Sequence, residues 1–254
     1  MPRKARKQIE SNYIHVIVQG INRETIFYDE LHTRKYLKEI RLKKEGYDNI
    51  KILAYCMMNN HAHFLIYTKD IKDLSKFMQR VNNAYSNFYN KYNNRVGFVF
   101  RDRFYTQEIY NQHQLYICLK YIHNNPVKAN IIKEMGKYKY SSFNEFLYGS
   151  KIIDKEAVSI IFGNCNDYKK IFISIHNMED SGEFKIKDIK EESFENFIQK
   201  FQIQHNIKVC ELKDNRGILE KFIKESREKT DVKIEELAKM IDVSKSLIGK
   251  ILKE

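Results

Sequence analysis

Residues 54–66 read Ala-Tyr-Cys-Met-Met-Asn-Asn-His-Ala-His-Phe-Leu-Ile. Two short apolar runs, Ile50 to Met58 and His61 to Thr68, meet across the polar step Asn59-Asn60, so the stretch reads as a β-hairpin. Side chains two apart on a strand share a face. His61 and His63 therefore project together, close enough to share one cation, while Ala62, Phe64 and Ile66 turn the other way into a core. On its own, a pair of alternate histidines is more often the mark of a strand with two satisfied surface imidazoles.

The flanking sequence supplies the rest of a domain. Residues 13–19, Tyr-Ile-His-Val-Ile-Val-Gln, are rich in β-branched and aromatic residues and stop at Gly20, which predicts a strand. Residues 29–44 set Leu31, Tyr36, Leu37, Ile40 and Leu42 among charges at roughly helical spacing. Asp70 to Tyr92 carries Leu74, Phe77, Met78, Val81, Tyr85, Phe88 and Tyr89 three and four apart, a second helix. Val96 to Ile109 reads as extended, starting at Gly97. Residues 111–124 read as a third helix that ends at Pro126, because proline disfavours helical geometry in the residue before it. The order β, α, β, β, α, extended, α gives an α+β sandwich, an antiparallel sheet with its helices on one side.

The composition supports a folded, nucleic-acid-facing protein. The 254 residues are 43% hydrophobic and 13% aromatic, enough for a packed core, and carry a formal charge of +12. A chain of this balance most often meets a polyanion, with DNA or RNA the first candidate, although a Lys-rich proteome gives the same number. Cysteines stand at 56, 118, 165 and 210 with no CxxC pair, which fits neither a zinc module nor a disulfide framework and points to a reducing cytoplasm. No run reaches the ~20 apolar residues of a membrane span, and no apolar segment of signal-peptide type follows the basic start. Arg3, Lys4, Arg6 and Lys7 read instead as an arm laid along phosphates.

Tyr121 and Asn125 stand four apart near the end of the third helix and share a face, so a phenol and an amide oxygen can point at the same ion. The blander reading of a tyrosine on an amphipathic helix is core or interface. Arg101 and Arg103, among Phe98, Phe100 and Phe104, are suited to hold phosphates while the rings pack or stack on bases. The loop after the first strand, with Asn22 and Arg23, is a further DNA-contact candidate. Rhythm is lost around 150–190, where a linker is expected. From Arg216 onward the chain reads as helical, with a helix-turn-helix over Ile234 to Leu252 in which Ser244 caps the second helix and, with Lys245, faces DNA. Asp242 sits where such turns prefer Gly, and a plain helical bundle is the alternative.

Five ordered blocks bring these features together: residues 13–27, 54–66, 97–104, 121–129 (Tyr-Ile-His-Asn-Asn-Pro-Val-Lys-Ala) and 138–143 (Tyr-Lys-Tyr-Ser-Ser-Phe). Their sequence and spacing resemble the single-tyrosine HUH transposases, and among them the REP-associated tyrosine transposases, over Tyr13 to Gly149. Two positions depart from the family's habit, Asn59 where Pro is common and Tyr140 where Trp is common.

The resemblance implies a ferredoxin-like antiparallel sheet of the HUH nuclease type. It implies a Mg²⁺ or Mn²⁺ ion held by His61, His63 and Asn125, and Tyr121 as nucleophile forming a 5′-phosphotyrosine on single-stranded, hairpin-containing DNA. It also implies that the basic arm lies along the hairpin. The expected organisation is a transposase domain over 1–149, an accessory helical region over 150–215, and a helix-turn-helix-like domain over 216–254, in a cytoplasmic, nucleoid-associated protein. Insertion-sequence relatives act as dimers and REP-associated ones as monomers, so a homodimer stays open. A replication initiator or relaxase is disfavoured by the short chain with its one candidate nucleophile. The alternative from another class is a domesticated DNA-binding regulator acting through 216–254 without strand transfer.

Overall fold

A computed structural model of the chain describes residues 9–149, 151–178, 194–230, 232 and 234–252. The arm residues Arg3, Lys4, Arg6 and Lys7 lie outside the described residues. The chain divides into two compact units, 1–185 and 186–254.

In the first unit, β1 (Tyr13–Gln19), β2 (Ile50–Met57), β3 (His61–Thr68) and β4 (Tyr105–Ile109) form one antiparallel sheet in the order β2-β3-β1-β4. The expected hairpin is β2–β3, closed by a 2.8 Å bond from the Met58 N–H to the His61 carbonyl. α1 (Glu30–Lys44) and α2 (Ile71–Tyr92) begin where Asp29 and Asp70 cap their first amides. Alternation then decides which helix covers which face. Phe64 faces Tyr36 of α1, ring centroids 6.0 Å apart. Its neighbour His63 faces Tyr121 of α3 (Gln112–Lys128) at 5.5 Å on the opposite side. Helices thus flank both faces, which corrects the expectation of a one-sided sandwich; a short strand with both faces apolar is the sign that alternation alone understates.

Two further expectations are corrected. α3 runs through Pro126 to Lys128 instead of ending before it. The proline falls in the last turn, so only one ladder bond is forfeited, and the Asn125 side-chain amide donates to the Tyr121 carbonyl at 2.8 Å beside the gap. Of residues 96–109 only 105–109 form a strand. Gly97, at φ +102, starts a loop whose backbone bonds go to the end of β1: Ile21 N–H to the Val99 carbonyl and Arg101 N–H to the Gln19 carbonyl, both 2.9 Å.

The open edge of β2 is covered, as an exposed edge must be if it is not to pair with another chain. Met57 N–H donates to the Tyr140 carbonyl (2.9 Å), Ser142 N–H to the Tyr55 carbonyl (3.0 Å), and Asp154 exchanges bonds with the backbone of Ile52 where β2 bulges. α4 (Phe143–Tyr148), α5 (Ala157–Phe162) and α6 (Tyr168–Asn177) complete this unit.

In the second unit α7 (Phe194–His205), α8 (Arg216–Lys229), α9 (Ile234–Met240) and α10 (Lys245–Ile251) enclose a core that includes Phe197, Phe201, Phe222, Leu237, Ile241 and Ile248. α9 and α10 are joined through Asp242 at φ +53, the left-handed turn position that favours glycine. Among the described residues no helix is long and apolar enough to cross a membrane.

Candidate catalytic and DNA-contacting site

β3 sets the rings of His61 and His63 4.8 Å apart on one face. His61 Nδ1 lies 2.6 Å from the Asn60 carboxamide oxygen, so Nδ1–H donates and the lone pair falls on Nε2. His63 is buried, and its Nδ1 lies 3.1 Å from Nε2 of His15, whose ring stacks on it at 5.2 Å. The other ring nitrogen of His63, Nε2, is buried with no hydrogen-bond partner. Such an atom is costly in a native interior and asks for a reason. Burial pulls the three imidazoles down, His15 to about 3, His61 to about 4 with help from the charge of Arg23, and His63 well below its ordinary value with help from His61 and His15. All three are neutral near pH 7, and only a neutral imidazole has a lone pair for a cation.

α3 lays Tyr121 over this pair. Its ring stands at right angles to His63 (89°) and nearly so to His15 (80°), centroids 5.5 and 5.8 Å away. Asn125 is inside the helix one turn on, its nitrogen end held by the Tyr121 carbonyl, which leaves the oxygen as the end a cation would take. His61, His63 and Tyr121 are thus brought together, with Asn125 on the same helix as Tyr121. Among the described residues no group of three or more His, Cys, Asp or Glu side chains is set to hold a metal ion. The donor set on offer is two imidazoles and an amide, and the unpartnered His63 Nε2 fits it.

The DNA-contact candidates fall at three places. Asn22 and Arg23 both adopt left-handed backbone, φ +51 and +58, a strained state that persists only when surroundings impose it. They are held by the hairpin turn: Gly20 N–H donates to the Asn60 carbonyl at 2.9 Å, and the Asn60 amide to the Arg23 carbonyl at 3.3 Å. Arg101 and Arg103 lie on the 97–104 loop, which with α2 lines a cavity of about 680 Å³ that also presents Phe98, Gln79, Asn82 and Asn83. That loop is bonded to Gln19, the register partner of His61, so it borders the same end of the sheet. Phe98 is 78% exposed, whereas Phe100 packs on Tyr36 and Tyr85 and Phe104 is buried. Ser244 caps α10 by accepting from Leu247 N–H, and Lys245 pairs with Glu235 at 3.3 Å. Both stand in the second unit.

Sequence reasoning missed His15 and Asn60. In sequence Asn60 carries only the mark of a turn residue, and the placing of His15 beside His63 depends on strand register.

The antiparallel sheet thus presents an imidazole pair to a tyrosine on a crossing helix. Residues 8–125 match the family described as IS200-like transposase. The matched stretch begins ahead of β1, runs into α3 and ends on Asn125, so it includes His61, His63, Tyr121 and Asn125. Among solved structures the chain is similar to the REP-associated tyrosine transposase bound to a REP hairpin, at 18% identity and a TM-score of 0.50, over 62% of this chain and 96% of that one. That likeness speaks for the fold. Comparison with the curated proteins gave no match. The expected resemblance to the single-tyrosine transposases, and the expected α+β fold with a helical C-terminal part, are borne out.

Proposed function

We propose that the protein cleaves and rejoins single-stranded, hairpin-containing DNA through a covalent 5′-phosphotyrosine on Tyr121. The observation that carries this reading is Tyr121 set against His63, whose Nε2 is buried and unpartnered. His61, His63 and Asn125 would hold a divalent cation, Mg²⁺ or Mn²⁺. That ion would polarise the scissile phosphate and offset charge on the leaving oxygen. Tyr121 gives up its proton as Oη attacks phosphorus; the P–O3′ bond breaks and the 3′ oxygen leaves as a hydroxyl. The phosphodiester energy is kept in the tyrosyl ester, so a 3′-hydroxyl can reverse the step and join strands without a nucleotide cofactor. His15 holds the ring of His63, and Asn60 that of His61, as outer partners of metal-bound imidazoles do. Arg23 borders the pair and would neutralise the entering phosphate.

The distribution of charge supports the first unit as the part that meets DNA. Residues 1–185 hold 30 Lys and Arg against 19 Asp and Glu, and residues 186–254 hold 15 against 14. Nucleic-acid affinity is dominated by phosphate neutralisation, so the almost neutral second unit would add sequence choice through its helix pair rather than bulk affinity. The regulator reading needs the reverse. The test is a labelled single-stranded hairpin from the sequence flanking its own gene, incubated with Mn²⁺ or EDTA. A metal-dependent, denaturation-resistant adduct that disappears in Tyr121→Phe is the expected result. Tight binding without an adduct across a range of hairpins would favour the regulator.

A further inference from the structure

The nucleophile-bearing helix is tied to its surroundings by a buried line of hydrogen bonds that nothing in the chemistry above requires. It begins on β2, where Tyr55 N–H donates to Ser142 Oγ at 2.8 Å. Ser142 Oγ lies 2.9 Å from Nε2 of His123, two residues beyond Tyr121 on α3. His123 Nδ1 lies 2.9 Å from Nε2 of His176 on α6, and His176 Nδ1 lies 2.7 Å from the Phe172 carbonyl. A carbonyl can only accept, so His176 Nδ1 carries the proton and its Nε2 accepts from His123 Nδ1–H. His123 Nε2 then accepts from the Ser142 hydroxyl at 2.9 Å, the nearer of that hydroxyl's two acceptors, the other being the Tyr55 carbonyl at 3.2 Å, which also receives the Ser142 N–H. One tautomer satisfies every ring nitrogen, with His123, Ser142 and His176 all buried.

The cost of burying two imidazoles argues against packing as their purpose, since apolar side chains of the same size would cost less. What a satisfied polar line provides is a single register. At the partly buried start of α3 Gln112 donates to the Ile161 carbonyl, and on its exposed side Lys120 donates to the Met178 carbonyl. The remaining buried contact is apolar, through Leu115, Cys118, Leu119 and Ile122, and an apolar helix face tolerates small rotations. Two residues are about 200° of helix turn, so His123 grips the side of α3 away from Tyr121. A slip of about 10° would carry the phenol oxygen, on the order of 8 Å from the helix axis, by more than 1 Å. Near-attack geometry does not survive such a displacement.

We infer that Ser142, His123 and His176 are positioning residues for Tyr121, fixing the rotation of α3 so that the phenol oxygen meets the scissile phosphate in line. The inference rests on the reading of Tyr121 as nucleophile. It also gives a physical use to Ser142 of the Ser-Ser segment, which lies outside the residues of the family match.

The test compares wild type, Ser142→Ala, His123→Phe and His123→Gln on the same labelled hairpin with Mn²⁺. It reads the rate of adduct formation at saturating DNA, hairpin affinity in EDTA, and thermal unfolding. Ser142→Ala and His123→Phe are expected to slow adduct formation roughly 10²-fold while hairpin affinity stays within about threefold. The Gln side chain can accept from Ser142 and donate to His176, so His123→Gln should recover most of the rate. If His123→Phe does not fold, Ser142→Ala, which removes one oxygen, decides the matter. Wild-type rates in folded Ser142→Ala would overturn the inference alone. So would a parallel fall of rate, affinity and stability that Gln does not rescue, which marks a purely structural role. A wild type that forms no adduct would overturn the reading of Tyr121, and this inference with it.

Discussion

The rings of His63 and His15 lie nearly parallel, centroids 5.2 Å apart and planes within 11°, with Nδ1 of one 3.1 Å from Nε2 of the other. For Nε2 of His63 to offer its lone pair to a cation, the proton on His63 must sit on Nδ1 and be donated to His15. In that state His15 sets both the ring angle and the tautomer of His63, the proposed inner cation ligand. His15→Phe keeps the stack and removes the acceptor. It should weaken Mn²⁺ binding by about 10- to 100-fold, while His63→Ala removes adduct formation altogether. Calorimetric titration with Mn²⁺ measures the first, and the gel-shifted adduct the second. Unchanged Mn²⁺ affinity in His15→Phe would leave His15 as packing.

Gly20 joins the site to the loop that frames it. A Cβ there would meet the Glu24 carbonyl oxygen at 2.4 Å and Cγ2 of Ile26 at 2.9 Å. The first of these is backbone and cannot step aside. Gly20→Ala must therefore push the 20–27 loop off the Asn59-Asn60 turn, breaking the bond from Gly20 N–H to the Asn60 carbonyl. A loss of about 1–3 kcal/mol is expected, together with weaker adduct formation because Asn60 holds His61. Thermal unfolding and the adduct assay should move together; a stable variant with reduced activity would mean that the loop relaxes more easily than its geometry suggests.

Much of this site was legible, and what was not has a common cause. The alternation of His61, Ala62, His63 and Phe64 needs only the two-residue period of a strand, and the helices over 29–44 and 70–92 need only the three- and four-residue spacing of their apolar side chains. Residues 97–104 misled because alternating Phe and Arg imitates a strand, while Gly97 turns the chain and the loop's bonds go to Gln19 and Ile21. The pairings of His15 with His63, and of His123 with Ser142 and His176, join residues 48, 19 and 53 apart. Only the tertiary fold fixes them, and a lone histidine in a strand or helix carries no sign of its partner.

Acid should destabilise the first unit through His176. Burial holds its folded value to about 4, with Lys120 adding to the effect and the Phe172 carbonyl opposing it. Its other neighbours are His123 and the rings of Phe143 and Phe172. The unfolded imidazole titrates near 6.5, so below that pH the unfolded chain binds a proton that the folded one refuses. Stability is complete above about 6.5 and falls until the folded group titrates near 4, by on the order of 3 kcal/mol at full loss. Urea unfolding at pH 7 and pH 5, followed by far-UV circular dichroism, should show this loss, and His176→Gln should reduce it. Equal pH dependence in the two proteins would show that His176 takes a proton without unfolding.

In the second unit, Asp242 holds a left-handed turn at φ +53. Its carboxylate pairs with Lys213 at 3.2 Å, but both groups are largely exposed, and such a pair contributes little. Asp242→Gly should therefore stabilise this unit by up to about 1 kcal/mol by relieving the backbone, and Asp242→Val should cost more than that because a β-branched residue resists positive φ. Thermal unfolding of the full chain reads both. A destabilised Gly variant would mean that the pair with Lys213 outweighs the backbone relief.

The division of charge between the units predicts where salt acts. If the DNA path crosses Arg23, Arg101 and Arg103, each is a phosphate contact, and each contact adds about 0.7 to the slope of log affinity against log salt for a single strand. Arg23→Ala, Arg101→Ala and Arg103→Ala should each flatten that slope by roughly this amount and weaken every hairpin alike. Lys245 lies in a unit with 15 cationic against 14 anionic side chains and already pairs with Glu235. Lys245→Ala should leave the slope nearly unchanged and alter, if anything, the ranking of hairpins by sequence. Fluorescence anisotropy from 50 to 300 mM salt separates the two. A slope lost through Lys245 and kept through the three arginines would move the DNA path to the second unit and revive the regulator.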